Sequence, residues 1–118
     1  MHELGITQGI IDRARETALA NDVQRVTALY LAITPAADFT EDAIAMYFEM
    51  LSDDDELFRG ARLHFERGPA AARCLECGHE FDATERHMHC PHCGSLSVMF
   101  DASAPMVQLT GIDVDDER

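Results

Sequence analysis

Apolar residues recur at every fourth position through residues 4–20. Ile6, Ile10, Ala14 and Ala18 share one face, while Arg13, Arg15 and Glu16 lie mostly off it. This period predicts an amphipathic helix, ended by Asn21-Asp22. The pattern changes at Arg25. Residues 25–33 are rich in β-formers, with Leu29, Leu31 and Ile33 on one face and Tyr30 on the other, and predict a strand. Thr40 then precedes Glu41-Asp42, and Ile44, Tyr47, Phe48 and Leu51 follow at helical spacing. That is a capped second helix with a core-facing stripe. Ala61, Leu63 and Phe65 alternate with Arg62, His64 and Glu66 as a half-buried strand, which Gly68-Pro69 and the following alanines close. Near the carboxyl end Val107 and Leu109 alternate. The apolar phase then slips by one residue to Ile112 and Val114, and Gly111 at the slip predicts a bulge.

These elements describe an α/β (α+β) fold, a small mixed three-stranded sheet with two helices. Between its last two strands lies a stretch of different character, containing all four cysteines of the chain. The expected organisation is a discontinuous α/β domain, residues 1–69 with 105–118, and an inserted metal module over 70–104.

The cysteines form two half-motifs, Cys74-Leu-Glu-Cys77-Gly78 and Cys90-Pro-His-Cys93-Gly94, with twelve residues between Cys77 and Cys90. This is the spacing of a four-thiolate zinc ribbon, in which each tight turn aims two sulfurs at one ion and a glycine carries the chain beneath. A site closed by four protein ligands has no open position for catalysis. Two disulfides, or a redox-active pair, are the alternatives that the same residues permit.

Charge narrows the classes of function. Nine basic residues against twenty-two acidic ones give a net charge of −13. Nucleic-acid binding relies on cations that neutralise phosphates, so DNA and RNA are not expected partners. The runs 53–56 and 113–117 read as a solvated loop and a frayed tail. The opening Met1-His2-Glu3-Leu4 has neither a basic nor an apolar signal region, and no apolar run approaches membrane-spanning length. A cytoplasmic protein with no membrane insertion is expected, and a reducing compartment favours metal over disulfides. No Ser-His-Asp set, phosphate-binding glycine loop or His-Glu-x-x-His motif is present, so an enzyme is not expected.

His2 is the other chemical feature. A histidine at position two is too bulky for removal of the initiator methionine, which leaves the amine of Met1 in place. That amine, the amide nitrogens of His2 and Glu3 and the His2 imidazole make a chelating set. Its planar four-nitrogen preference suits Ni²⁺ or Cu²⁺ better than tetrahedral Zn²⁺. The Glu3 carboxylate stands ready to add an oxygen or to orient the imidazole. Taken alone, a histidine at position two is usually just an exposed residue.

The Met1-His2-Glu3-Leu4 opening, the following helix, the strand at Arg25-Val26-Thr27, the first knuckle with Gly78-His79-Glu80-Phe81, the second knuckle and the closing strand around Ile112 together resemble the HypA/HybF family. These are nickel metallochaperones of [NiFe]-hydrogenase maturation. The resemblance covers essentially the whole chain. It implies nickel at the amino terminus using His2, with Glu3 beside it and the Met1 amine of the chelating set above, and structural zinc on Cys74, Cys77, Cys90 and Cys93. It also implies two partners, the GTPase HypB and the hydrogenase large subunit, and for some members urease maturation. The chain departs from the family pattern at Thr34-Pro35-Ala36-Ala37, where a Gly-Glu-x-Ser-like turn is usual. It departs again near Thr40, where some members place an acidic residue and Glu41 is the nearest carboxylate here. A zinc-ribbon adaptor with no nickel site is the alternative function. His79 and His92 read as turn residues or as thiolate neighbours, His87 and His89 as solvated, His64 as without function, and the Met46 and Met50 pair as packing.

Overall fold

The computed structural model describes residues 2–101 and 106–115, with His2 described in its backbone alone. Two helices and six strands follow the chain order α1 (His2–Ala20), β1 (Val26–Ile33), α2 (Glu41–Ser52), β2 (Arg62–Arg67), β3 (Ala70–Cys74), β4 (Glu80–Ala83), β5 (Val98–Phe100) and β6 (Val107–Val114). They make two three-stranded sheets, ordered β2-β1-β6 and β4-β3-β5. The chain divides into two compact units. One holds the residues up to Ala32, Phe39–Glu66 and those from Gln108 onward, and the other holds Ile33–Asp38 with Arg67–Val107.

In the first unit, α1 buries Thr7, Ile10, Ile11, Ala14 and Ala18. The buried stripe thus runs one position wider than the four-residue repeat, taking in Thr7 and Ile11, while Ile6 is half-buried. Thr7 is tolerated there because its hydroxyl donates to the Glu3 carbonyl at 2.6 Å. The helix stops at Asn21-Asp22 by a definite mechanism. Asp22 takes φ +58°, and the amides of Val23 and Asp22 donate back to the carbonyls of Ala18 at 2.9 Å and Leu19 at 3.3 Å. This is a Schellman cap, with an aspartate in the place usually given to glycine.

Thr40 caps α2, its side-chain oxygen accepting from the Ala43 amide at 3.1 Å. The inward face of α2 is Ile44, Phe48 and Ser52, the last of which donates to the Phe48 carbonyl. Tyr47 is half-buried and Leu51 is 37% exposed. The stripe therefore follows i, i+4, i+8 and leaves the i+7 residue outside. Met46 and Met50, expected to pack, are 54% and 63% exposed, because their positions lie opposite that face.

Core contributions from loops escaped the periodicity. Phe58, between α2 and β2, is 1% exposed and meets Phe48 edge-to-face with ring centroids 6.1 Å apart. The guanidinium of Arg15 lies 5.4 Å from the Phe58 ring centre and pairs with Asp55. The acidic run 53–56 is a loop, but Asp55 is not a free solvated charge within it. Its hydrogen bond from Arg15 comes first among the causes that hold its carboxyl below the usual range. Asp113 also differs from a frayed tail. It lies in β6 and accepts the Tyr30 hydroxyl at 2.5 Å, which raises the Tyr30 pKa. The Tyr30 ring stacks on His64 at 5.0 Å.

The second unit has three strands where the sequence pattern showed none. Its central strand is the alanine-rich segment β3, paired antiparallel with β4 through Ala70↔Ala83 to Arg73↔Glu80 and with β5 through Ala72↔Phe100 to Cys74↔Val98. Such short strands, with alanine at the buried positions, carry too few large apolar residues to give a visible alternation. The linker 33–38 belongs to this unit. Arg86 reaches the carbonyls of Pro35, Ala36 and Ala37 at 3.4, 3.4 and 3.1 Å.

Candidate metal centre

The two cysteine knuckles fold alike, bond for bond. In the first, the Gly78 amide donates to the Cys74 carbonyl at 3.0 Å, and the Cys74 amide to the His79 carbonyl at 2.9 Å. In the second, Gly94 donates to Cys90 and Cys90 to Ser95, each at 2.8 Å. Both glycines sit at φ +77°. A Cβ built on either would meet nothing within 4 Å. Glycine is therefore required here by backbone conformation, not by crowding.

Each knuckle buries its first thiol and exposes its second. Cys74 and Cys90 are buried; Cys77 and Cys93 are exposed. Across the site, Cys74 Sγ lies 3.6 Å from Cys93 Sγ and Cys77 Sγ lies 3.7 Å from Cys90 Sγ. All four sulfurs fall within 4.8 Å of one another, and the thiols are unbridged. A zinc ion with bonds of about 2.3 Å has tetrahedron edges of about 3.8 Å, so the donor set fits a tetrahedral dication. Amides complete the cradle, with Cys77 N–H directed at Cys74 Sγ and His92 N–H at Cys90 Sγ.

The thiols' acidities state the same requirement. The Cys77 amide, donating to its sulfur, brings Cys74 down to about 6. For Cys93 the Ser95 amide acts in the lowering direction, but the neighbouring thiols of Cys74, Cys77 and Cys90, with burial, push it up to about 12. Cys77 also rises, because burial and the thiols of Cys74 and Cys90 outweigh the His79 amide. One thiolate in this cluster suppresses the ionisation of the next, and a dication at the centre removes that conflict.

The fold brings a further pair together. His79 and His92, thirteen positions apart and each readable alone as a turn residue, stack at 5.4 Å, and His79 also stacks on Phe81 at 6.0 Å. The two occupy different places in their knuckles, His79 after the glycine and His92 before the second cysteine, so the repeat in the sequence does not foretell the stack.

Of the amino-terminal residues, Met1 lies outside the described residues, and His2 contributes the first backbone position of α1. Glu3 is half-buried in the first turn. Thr40, at the position where some family members place an acidic residue, is occupied as the α2 cap. No helix among the described residues is long and apolar enough to cross a membrane.

Comparison with known proteins matches these features as a set. The family model described as hydrogenase/urease nickel incorporation, metallochaperone, HypA, matches residues 1–112. The hydrogenase maturation factor HypA of Caldanaerobacter subterraneus subsp. tengcongensis is 30% identical over 98% of this chain and 100% of its own length. That of a Dehalococcoides mccartyi strain is 35% identical over 99% of this chain and 97% of its own. The solution structure of the nickel metallochaperone HypA from Helicobacter pylori superposes with a TM-score of 0.70 at 17% identity, covering 98% of each chain, and so shares the fold. This chain belongs to the HypA family of nickel-incorporation metallochaperones.

Proposed function

We propose that the chain carries Ni(II) at its amino terminus and delivers it for maturation of the [NiFe]-hydrogenase large subunit, while zinc on Cys74, Cys77, Cys90 and Cys93 holds the second unit folded. The observation that most supports this is the family match beginning at residue 1, where α1 also begins, at His2. The first amides of a helix have no acceptor within it. A metal can therefore take the His2 amide nitrogen without breaking the helix.

The same location makes the site releasable. A helix amino terminus carries partial positive charge, which opposes a cation. Binding must be assisted by deprotonated amides and by the Glu3 carboxylate, so it weakens as protons return. A four-thiolate site has the opposite character, closed and slow to exchange. Cargo and structural ion are thus separated by chemistry as well as by position. The GTPase HypB and the hydrogenase large subunit are the partners this reading assigns, in the cytoplasm, with urease maturation proteins as further acceptors in some members.

Nickel titration of untagged protein with a verified Met1, followed by X-ray absorption, tests the assignment beside His2→Ala. One equivalent with nitrogen-rich coordination, lost in the variant while zinc is retained, is the expected result. Equal nickel binding by both proteins would remove the site from the amino terminus. Absence of binding in both would leave a zinc-ribbon adaptor. Metal analysis of the purified protein, expected to give one zinc per chain, checks the thiolate site, which iron would also fit by geometry.

A further inference from the structure

The outer face of the β4-β3-β5 sheet is a groove of about 610 Å³ lying away from the buried thiols. Its layout follows from the pairing register. Directly opposite residues of antiparallel strands share a face. Arg73 therefore stands between Glu80 on β4 and Met99 on β5. One step along, Ala71 faces Asp82 on one side, and on the other its carbonyl accepts the amide of Asp101 at 2.8 Å. The short Ala71 side chain between longer neighbours makes the notch. The flanking strands lie about 10 Å apart across it.

The groove combines an apolar floor with negative walls. Met99 is 53% exposed and Leu75, at its end, 61%. Among the described residues, the side chains of Glu80 and Asp82 enter no hydrogen bond or ion pair. The cross-strand neighbour Arg73 likewise forms no ion pair among them, so the acids are not neutralised from within. Of the acids lining the groove, Asp101 has a partner of its own, and the negative walls are Glu80 and Asp82. Both β4 and β5 have a single strand neighbour, leaving backbone groups at each edge.

We propose that this groove docks an extended, basic segment of a partner protein, with lysine or arginine stems on Ala71 and Met99 and their charged ends at Glu80 and Asp82. A second copy of the chain would bring net charge −13 against walls of the same sign. Nucleic acid is disfavoured by the same sign. An extended chain fits lengthwise on the face of the sheet, in a notch whose flanking strands lie about 10 Å apart. The proposal does not depend on where nickel binds.

The test is an amide-resolved NMR titration of the zinc-loaded protein with an N-acetylated, C-amidated nonapeptide of alternating lysine and valine, against its glutamate–valine counterpart. The lysine peptide is expected to shift amides of Ala71–Arg73, β4 and β5. E80K/D82K is expected to weaken it at least tenfold and to gain binding of the glutamate peptide. Both substituted side chains are exposed, and zinc content verifies that the variant is folded. Shifts spread over α2 and the other acidic segments, with the same affinity in E80K/D82K, would overturn the proposal. So would the absence of lysine-peptide binding. Concentration-dependent broadening of the groove amides without peptide would assign the face to a second copy and overturn it as well.

Discussion

The two units of this chain are held by different physics. The first buries Ile11, Leu29, Leu31, Ile44 and Phe58, each at most 2% exposed. In the second, apart from Ile33 in the linker, the buried residues among those described are Ala70, Ala72, Ala83, Cys74 and Cys90. Fully burying a leucine or phenylalanine yields about 1.5–3 kcal/mol, whereas alanines yield little. An apolar core can thus account for the first unit but not for the second. On the proposed reading, a metal ion on the four thiolates does there the work that large side chains do elsewhere, since ion binding by such modules supplies on the order of 10 kcal/mol. Small size does not by itself explain the difference. What matters is whether the buried positions carry volume or ligands.

The contrast can be broken most directly at a ligand. Cys74→Ala should remove the metal and most of the roughly 10 kcal/mol it supplies. Hydrogen exchange should then show β3, β4 and β5 losing protection while α1 and β1 keep theirs; equal loss in both units would mean that they share one cooperative core. Phe58→Ala is the mirror experiment. It should destabilise the first unit by about 3–5 kcal/mol in denaturant unfolding, because it opens a cavity beside Phe48, with zinc content unchanged. Gly78→Ala separates conformation from packing. With open space around the glycine, the cost should be about 1–2 kcal/mol from φ alone, read as easier metal loss to a competing chelator. Thr40→Ala should cost the first unit about 1 kcal/mol through the lost cap, seen as a lower Tm.

The smallest effect expected is electrostatic. The folded-state pKa of Asp55 lies below its unfolded value, so the Arg15 pair stabilises the first unit above about pH 4. That contribution is lost as pH falls through the folded pKa. Arg15→Ala should flatten this part of the acid-unfolding profile and cost less than about 1 kcal/mol at neutral pH, as befits a partly exposed pair. An unchanged profile would assign the acid sensitivity of the first unit to other carboxylates.

The same division governs what could be read from the sequence. The first unit's helices and strands were legible because large apolar residues mark their periods, from Ile10 in α1 to Phe48 in α2. The thiolate cluster was legible from spacing alone, since the chemistry of a tetrahedral ion prescribes two close pairs. The strands around the knuckles were not, because Ala70 and Ala72 mark a buried face without hydrophobic contrast. Phe58, Asp55 and Asp113 were hidden for another reason. Each owes its environment to a partner distant in the chain, and local pattern carries no trace of Arg15 or Tyr30. The exposure of Met46 and Met50 needed the helix phase, which Ser52, a polar residue, silently completes.

The alternation of buried and exposed thiols within each knuckle has a consequence for how the protein wears. An oxidant or alkylating agent in the cell meets Cys77 and Cys93 first, one from each half of the cluster. Neither half is spared and neither is lost whole. Damage therefore begins symmetrically, at two sulfurs whose unmodified neighbours lie on the opposite knuckle at 3.6 and 3.7 Å. A chain stripped of its metal and mildly oxidised would cross-link between the knuckles, keeping the two turns together until a reductant reopens them.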